Sequence, residues 1–186
     1  MSAVEPVEVD AGRVRLRRWR VEDADAVLTA LRDPVLQLWN GVPATTRDDA
    51  VDFVRRRADW SAGDHASWAV ADAGTGVLLG SVSLHSVDRQ QANAQVGYWT
   101  VPAARGRGVA PCAVDAACRW AFAGLSIERV ELCHAVDNPA SGRVAAKAGF
   151  TLEGRLRASY RYGDGRKHDE LIWGRLAADP PPGLSS

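Results

Sequence analysis

The chain is poor in cysteine: Cys112, Cys118 and Cys133 give an odd count with no CxxC pair. That argues against a disulfide framework and against a zinc site. No apolar run approaches the roughly 20 residues that span a bilayer. The opening "MSAVEPVEVDAG" is acidic and lacks the apolar stretch of a secretory leader. An excess of charge of one sign is missing too, since 23 Lys+Arg stand against 23 Asp+Glu. No overall field therefore draws the chain to nucleic acid or to an anionic membrane, and no long basic run supplies a local one. A soluble, cytoplasmic protein is the expectation. No repeat or linker divides the chain, so residues 1–178 read as a single domain. The closing "DPPPGLSS" (179–186) reads as a disordered tail, because its three prolines resist helix and sheet pairing.

What is present suits a sizeable core: 46% of the 186 residues are hydrophobic and 25% charged. "VRLRRW" (14–19) alternates as a strand does. "VEDADAVLTALRDP" (21–34) places Val27, Leu28 and Leu31 on one helical face and ends at Pro34. "TRDDAVDFVRRRADWSAG" (46–63) predicts a second helix, with Thr46 and Asp49 as a capping box and Gly63 as its stop. "SWAVAD" and "VLLGSVSLH" flank "AGTG" as a hairpin, and "QVGYWTV" (95–101) is a third strand of this group. A helix over 109–124, the strand "ERVELCHAV" (128–136) and a short helix over 141–148, capped by Ser141 and stopped by Gly149, follow. Two last strands, "TLEGRLRASYRY" and "KHDELIWGRL", turn at "GDG". The order βααβββαβαββ predicts an α/β (α+β) fold, a mixed sheet with helices on both faces.

Two segments carry chemistry. "WTVPAARGRGVAPCAV" (99–114) sets bare backbone and two arginines at the start of a helix. It reads either as a solvated basic loop or as an anion cradle, since a helix N-terminus offers unpaired N–H groups and a positive dipole end. It lacks the Lys-Ser/Thr of a P-loop and the spacing of GxGxxG. Pro111 has no N–H, which confines the donors to the residues before it. In "VDNPASGRVAAKAGFTLEG" (136–154), Asn138 and Ser141 are either turn and cap residues or part of a site.

Together, Arg105-x-x-Gly108-x-Ala110 after "VGYW" and the "DNPAS…KAGF" segment resemble the GNAT superfamily of N-acetyltransferases, in particular its RimJ/RimL-type branch. The resemblance covers nearly the whole chain. It implies a mostly antiparallel sheet splayed between two parallel central strands, "GYWTV" and "ELCHAV". It implies acetyl-CoA as co-substrate and no metal, with the pyrophosphate on Arg105, Gly106, Arg107, Gly108, Val109 and Ala110. Pantetheine would run along Trp99, Thr100 and Val101, with Asn138 and Ser141 near its end and Ser141 close to the sulfur. The implied activity is transfer of an acyl group to a primary amine, on a protein N-terminus or a small molecule, by direct attack in a ternary complex. The alternative is a non-catalytic acyl-CoA-binding module.

The sequence departs from these relatives where they carry catalytic side chains. Ala145 stands where many have a tyrosine acid, Cys133 and Tyr160 where ribosomal-protein acetylating relatives carry a glutamate base, and Gln95 where glutamate is frequent. The side chains that remain for chemistry are His85, Asp88, His134, Tyr160, Tyr162, His168 and Asp169. Of these, Tyr160 and Asp169 stand with Ser141 as the catalytic candidates, Asp169 either orienting substrate, acting as base or pinning the "GDG" turn. Trp39 and Tyr160 are expected to wall an acceptor pocket between residues 34–39 and the last hairpin. His134 reads as a hydrogen-bonded core histidine and His168 as a solvated turn residue. An exposed strand edge leaves a homodimer open.

Overall fold

The computed structural model describes residues 5–41 and 44–184; residues 1–4 and the last two of the expected tail, 185–186, lie outside the described residues. In chain order these form β1 (Val9–Ala11), β2 (Val14–Arg17), α1 (Ala24–Leu31), α2 (Pro34–Asn40), α3 (Arg47–Ala58), β3 (Ala66–Asp72), β4 (Leu78–Asp88) and β5 (Asn93–Thr100). There follow α4 (Val109–Leu125), β6 (Arg129–Ala135), α5 (Pro139–Lys147), β7 (Thr151–Arg161) and β8 (Lys167–Leu176). One sheet has the order β1-β2-β3-β4-β5-β6-β8-β7. Every neighbouring pair is antiparallel except β5 with β6, which is parallel.

Two elements differ from the sequence reading. β1 pairs with β2 across a turn at Gly12, whose φ of +73° suits glycine. Pro34 starts a helix instead of only ending one: α1 stops at Leu31, and Pro34 opens α2, where a missing N–H costs nothing. Asp33 caps that helix by accepting the Leu36 N–H at 3.1 Å. At α3 the capping box forms, Thr46 accepting from Asp49 N–H at 3.1 Å and Asp49 accepting from Thr46 N–H at 2.8 Å. That helix ends at Ala58, before Gly63, and Trp60 turns into the core.

The alternation of the strands divides the core in two. Trp68 and Val70 point to the α4 face, while Ala69 between them points to the face covered by α1 and α3. Trp60, Trp68 and Trp120 meet edge to face on the first side at 4.8, 5.0 and 5.9 Å. Such pairs contribute about 0.5–1.5 kcal/mol each beyond burial. On the second side Trp19 packs on Phe53 and Trp99. Buried charge is matched: Arg17 grips Asp23 with two bonds of 2.8 and 2.7 Å, and Arg175 binds Asp115 at 2.8 Å and the Ala148 carbonyl at 3.0 Å. After β8, Asp179 accepts the Leu176 N–H at 2.8 Å and Pro182 lies over Gly149.

The feature that positions the site lies in the middle of the sheet. β5 and β6 pair only over Asn93–Gln95 and Arg129–Glu131, then part. β5 stays with β4 through Thr100, whereas β6 stays with β8 through Ala135, so a wedge opens between two parallel strands. This is the splayed sheet that the resemblance implies.

Candidate active site

The wedge exposes one backbone edge. The Val101 N–H donates to the Leu79 carbonyl at 2.9 Å, and Trp99 stands opposite Ser81. In an antiparallel ladder the polar groups alternate sides, so Gly97, Trp99 and Val101 spend theirs on β4. Val96, Tyr98 and Thr100 turn theirs away from β4 toward β6, and beyond the Gln95–Glu131 pair these groups meet the open gap. Of the expected run Trp99–Val101, Thr100 turns its backbone to that edge, while Trp99 and Val101 give theirs to β4. The Trp99 indole packs 6.3 Å from Trp19 in the α1/α3 core.

The gap widens into a cavity of about 930 Å³, walled by α2, β5, the start of α4, β6, α5 and the β7–β8 hairpin. At one end Gly106 (φ +73°) and Gly108 (φ +77°) hold the left-handed turn into α4, and a Cβ on Gly106 would meet nothing within 4 Å. Pro111 has no N–H, and the Cys112 N–H is taken by the Gly108 carbonyl at 3.3 Å. The amides of 106–110 remain to face an anion. Open backbone, a helix dipole and an unpaired strand edge leading to it fit the pyrophosphate and pantetheine of a CoA thioester.

The two arginines have other roles. Arg105 pairs with Asp33 at 2.5 Å, a hydrogen bond that holds the Asp33 carboxyl below the usual range. It thereby ties the glycine turn to α2. The Arg107 carbonyl accepts from Arg13 at 3.2 Å, and Arg107 is not part of the cavity wall.

Midway along the wedge stands a pair that the sequence did not reveal. Ser141 does not cap α5: Asn138 is the N-cap residue, Pro139 opens the helix, and Asn138 offers its carbonyl to the Ser141 N–H at 3.1 Å. The Ser141 hydroxyl lies instead 2.6 Å from the Tyr98 hydroxyl, joining β5 to α5. Burial pushes the Tyr98 phenol up to about 12. Tyr98 was readable only as one letter of "VGYW"; its parity with Val96 and Thr100 on the free edge is the signal that marks it. Beside the pair, His134 Nδ1 donates to the Ala135 carbonyl at 2.8 Å and Nε2 accepts the Trp173 indole N–H at 3.0 Å. Burial lowers its pKa and keeps it neutral, and Gly142 gives it room.

The far end is built by the hairpin. β7 bulges between Leu156 and Tyr160, with Ala158 at φ +45°. Asp169 pins the bulge, accepting the Ala158 N–H at 2.8 Å and the Arg155 guanidinium at 2.6 and 2.8 Å. It lies outside the cavity wall, and its neighbour on β8, Glu170, faces in. Glu170 accepts the Ser159 hydroxyl at 2.6 Å and the Tyr162 hydroxyl at 2.8 Å. Tyr160 stands at the mouth, 5.0 Å from Tyr162, whose ring meets Trp39 at 5.4 Å. His168 is not solvated: its side chain is 13% exposed and bridges Asp164 at 2.9 Å and Asp137 at 3.1 Å. Those bonds, Asp164 first, raise its pKa. The hairpin docks on α2 through the Gly163 N–H, which donates to the Leu38 carbonyl at 2.9 Å.

Of the expected site residues, Val101, Arg107 and Asp169 lie outside the cavity wall and the others lie in it. Tyr162 and His85 of the wider candidate set also lie in it and Asp88 does not, while Tyr98 and Glu170, which the sequence reading did not single out, join them.

The description "Acetyltransferase (GNAT) domain" matches residues 13–151. YdaF of Bacillus subtilis (strain 168), which carries the name of a ribosomal N-acetyltransferase, is 36% identical over 105 residues, 54% of this chain and 55% of that protein. The chain thus spans about half the length of that relative. The uncharacterized N-acetyltransferase YoaA of the same organism is 24% identical over 167 residues, 89% of this chain and 94% of its own. Mycobacterium smegmatis RimJ in complex with CoA-disulfide superposes with a TM-score of 0.79 at 26% identity, covering 95% of this chain and 88% of that one. The splayed sheet, the glycine turn into α4 and these matches agree: the chain belongs to the GNAT acetyltransferases, on their RimJ/RimL-like side.

Proposed function

We propose that the chain transfers an acetyl group from acetyl-CoA to a primary amine by direct attack, both substrates being bound together. The observation that carries this reading is one continuous path: the glycine turn at α4, the free edge of β5, and the Tyr98–Ser141 hydroxyl pair at 2.6 Å. Acetyl-CoA, when bound, supplies a thioester whose carbonyl carbon accepts the amine. The amides of 106–110 would hold its pyrophosphate, and Val96, Tyr98 and Thr100 its pantetheine, with Asn138 beside them. An N–H of the same edge donates to a carbonyl oxygen on which negative charge grows. Ser141 donates to the departing sulfur. Tyr98, kept as a phenol by burial, can supply Ser141 with a hydrogen bond.

The thiols support direct attack, and Cys112 lies outside the cavity wall. Burial pushes Cys118 up to about 12 and Cys133 up to about 11, so neither is a ready nucleophile at neutral pH. Trp39 and Tyr160 wall the acceptor end, and Asp169 acts through the bulge it pins. The name of YdaF, a ribosomal N-acetyltransferase, favours an amine of a protein as acceptor, its N-terminus included; the absence of the usual glutamates favours a small amine. Peptides with free N-termini and small amines, incubated with acetyl-CoA and read by thiol release, separate these. Ser141→Ala lowers kcat about 100-fold with little change in acetyl-CoA affinity. Failure to bind acetyl-CoA in calorimetry overturns the reading, and binding without turnover on any amine supports the non-catalytic alternative.

A further inference from the structure

Among the described residues three carboxylates are buried, and two of them have a cation: Asp23 has Arg17, and Asp115 has Arg175 and Arg119. Glu170 is 7% exposed, and no ion pair of the described residues includes it. Its two oxygens accept one hydroxyl each, from Ser159 and Tyr162, which leaves lone pairs on both. A buried charge without a counter-charge is costly unless something supplies one. This one opens into the cavity, beside the rings of Tyr160, Tyr162 and Trp39.

We propose that Glu170 is the acceptor's ammonium site and its proton acceptor, with Trp39, Tyr160 and Tyr162 as an aromatic wall for the cation. This rests on the acetyl-transfer reading. Aromatic faces favour an ammonium ion by about 0.5–2 kcal/mol. An N–H bond of the ammonium breaks, its electron pair stays on nitrogen, and the proton passes to a Glu170 oxygen. The neutral amine then forms the N–C bond as the C–S bond breaks. A second proton leaves the nitrogen to balance the one taken by sulfur, and Glu170 returns its own to water. Tyr162 stays a donor throughout, since burial and Glu170 both raise its pKa. The groups around Glu170 are Ser159 and Tyr160 from β7, Tyr162 just beyond that strand, and Cys133 from β6; His134 alternates to the other face of β6, and His168, on the strand of Glu170, is held by Asp137 and Asp164.

Glu170→Gln tests this with two amines: n-butylamine, charged at neutral pH, and aniline, uncharged. Expected are an acetyl-CoA affinity within about twofold of wild type and a Tm no lower than wild type, since the variant removes an uncompensated buried charge. kcat/KM falls about 100-fold for n-butylamine and less than about tenfold for aniline. The remaining n-butylamine activity climbs about tenfold per pH unit toward the amine's own pKa. Equal losses for both amines, or no loss, overturn the proposal, because a residue that only pins the hairpin does not distinguish them. Calorimetric binding of n-butylamine in the presence of CoA reads the ammonium site without turnover. It weakens at least about tenfold in the variant, and equal binding overturns the proposal. A wild type that binds n-butylamine through Glu170 but acetylates no amine sinks the acetyl-transfer reading alone.

Discussion

Gly163→Ala places a Cβ 2.0 Å from the Gln37 carbonyl oxygen, 2.9 Å from its carbon and 3.1 Å from the Leu38 Cα. All three are backbone atoms of α2, so no side chain can swing aside. α2 and the hairpin must separate by about 1 Å or more to restore ordinary contact. The separation strains the Gly163 N–H bond to Leu38, now 2.9 Å and worth about 1 kcal/mol. Overpacking adds about 1–3 kcal/mol. The sum is about 2–4 kcal/mol, and a chain of this size loses roughly 2–4 °C in Tm for each. A calorimetric Tm lower by roughly 5–15 °C is expected. If α2 instead lifts locally, Trp39 leaves Tyr162 and the strain appears as a higher KM for the amine. Acetyl-CoA affinity, set by β5 and α4, changes less than about threefold in either case. An unchanged Tm together with an unchanged amine KM would refute the reasoning.

Gly108→Ala meets only Arg13 at 3.8 Å, so its cost is the left-handed backbone at φ +77°. About 1–2 kcal/mol of strain should weaken acetyl-CoA about 5–30-fold in titration calorimetry; wild-type affinity contradicts the cradle. Asp115→Asn leaves the Arg175 guanidinium buried without its main counter-charge, and urea unfolding should show a loss of about 3–5 kcal/mol. A loss below about 1 kcal/mol means that the pair is dispensable. For His168 the folded pKa is raised above the ordinary 6.5, so the folded chain holds that proton more tightly than the unfolded one. Its stabilisation is complete below 6.5 and is lost as pH rises through the raised value. The Tm gap between wild type and His168→Gln should therefore be largest in acid and close with rising pH; a constant gap contradicts the clamp.

Local signals in the sequence were legible because they act over a few residues. Thr46 and Asp49 cap α3 as their spacing says, and Gly106 and Gly108 take the positive φ that only glycine adopts freely. Pro34 was ambiguous for a physical reason: the missing N–H that ends one helix is harmless at the start of the next. The run Trp99–Val101 was legible as the end of β5, but not which of its residues turn away from β4, because strand periodicity shows alternation and not which set faces the neighbour. Tyr98 and Ser141 are 43 residues apart and meet only once the wedge and α5 exist. The choice between Asp169 and Glu170 depends on the β7 bulge, which no short motif announces.

Amine-dependent cleavage of acetyl-CoA tests the central claim most directly, with free thiol and acetylated amine quantified in the same reaction. The account predicts that the two appear in equal amounts, and only when a primary amine is present. Thiol release that ignores the amine and leaves it unmodified would contradict it.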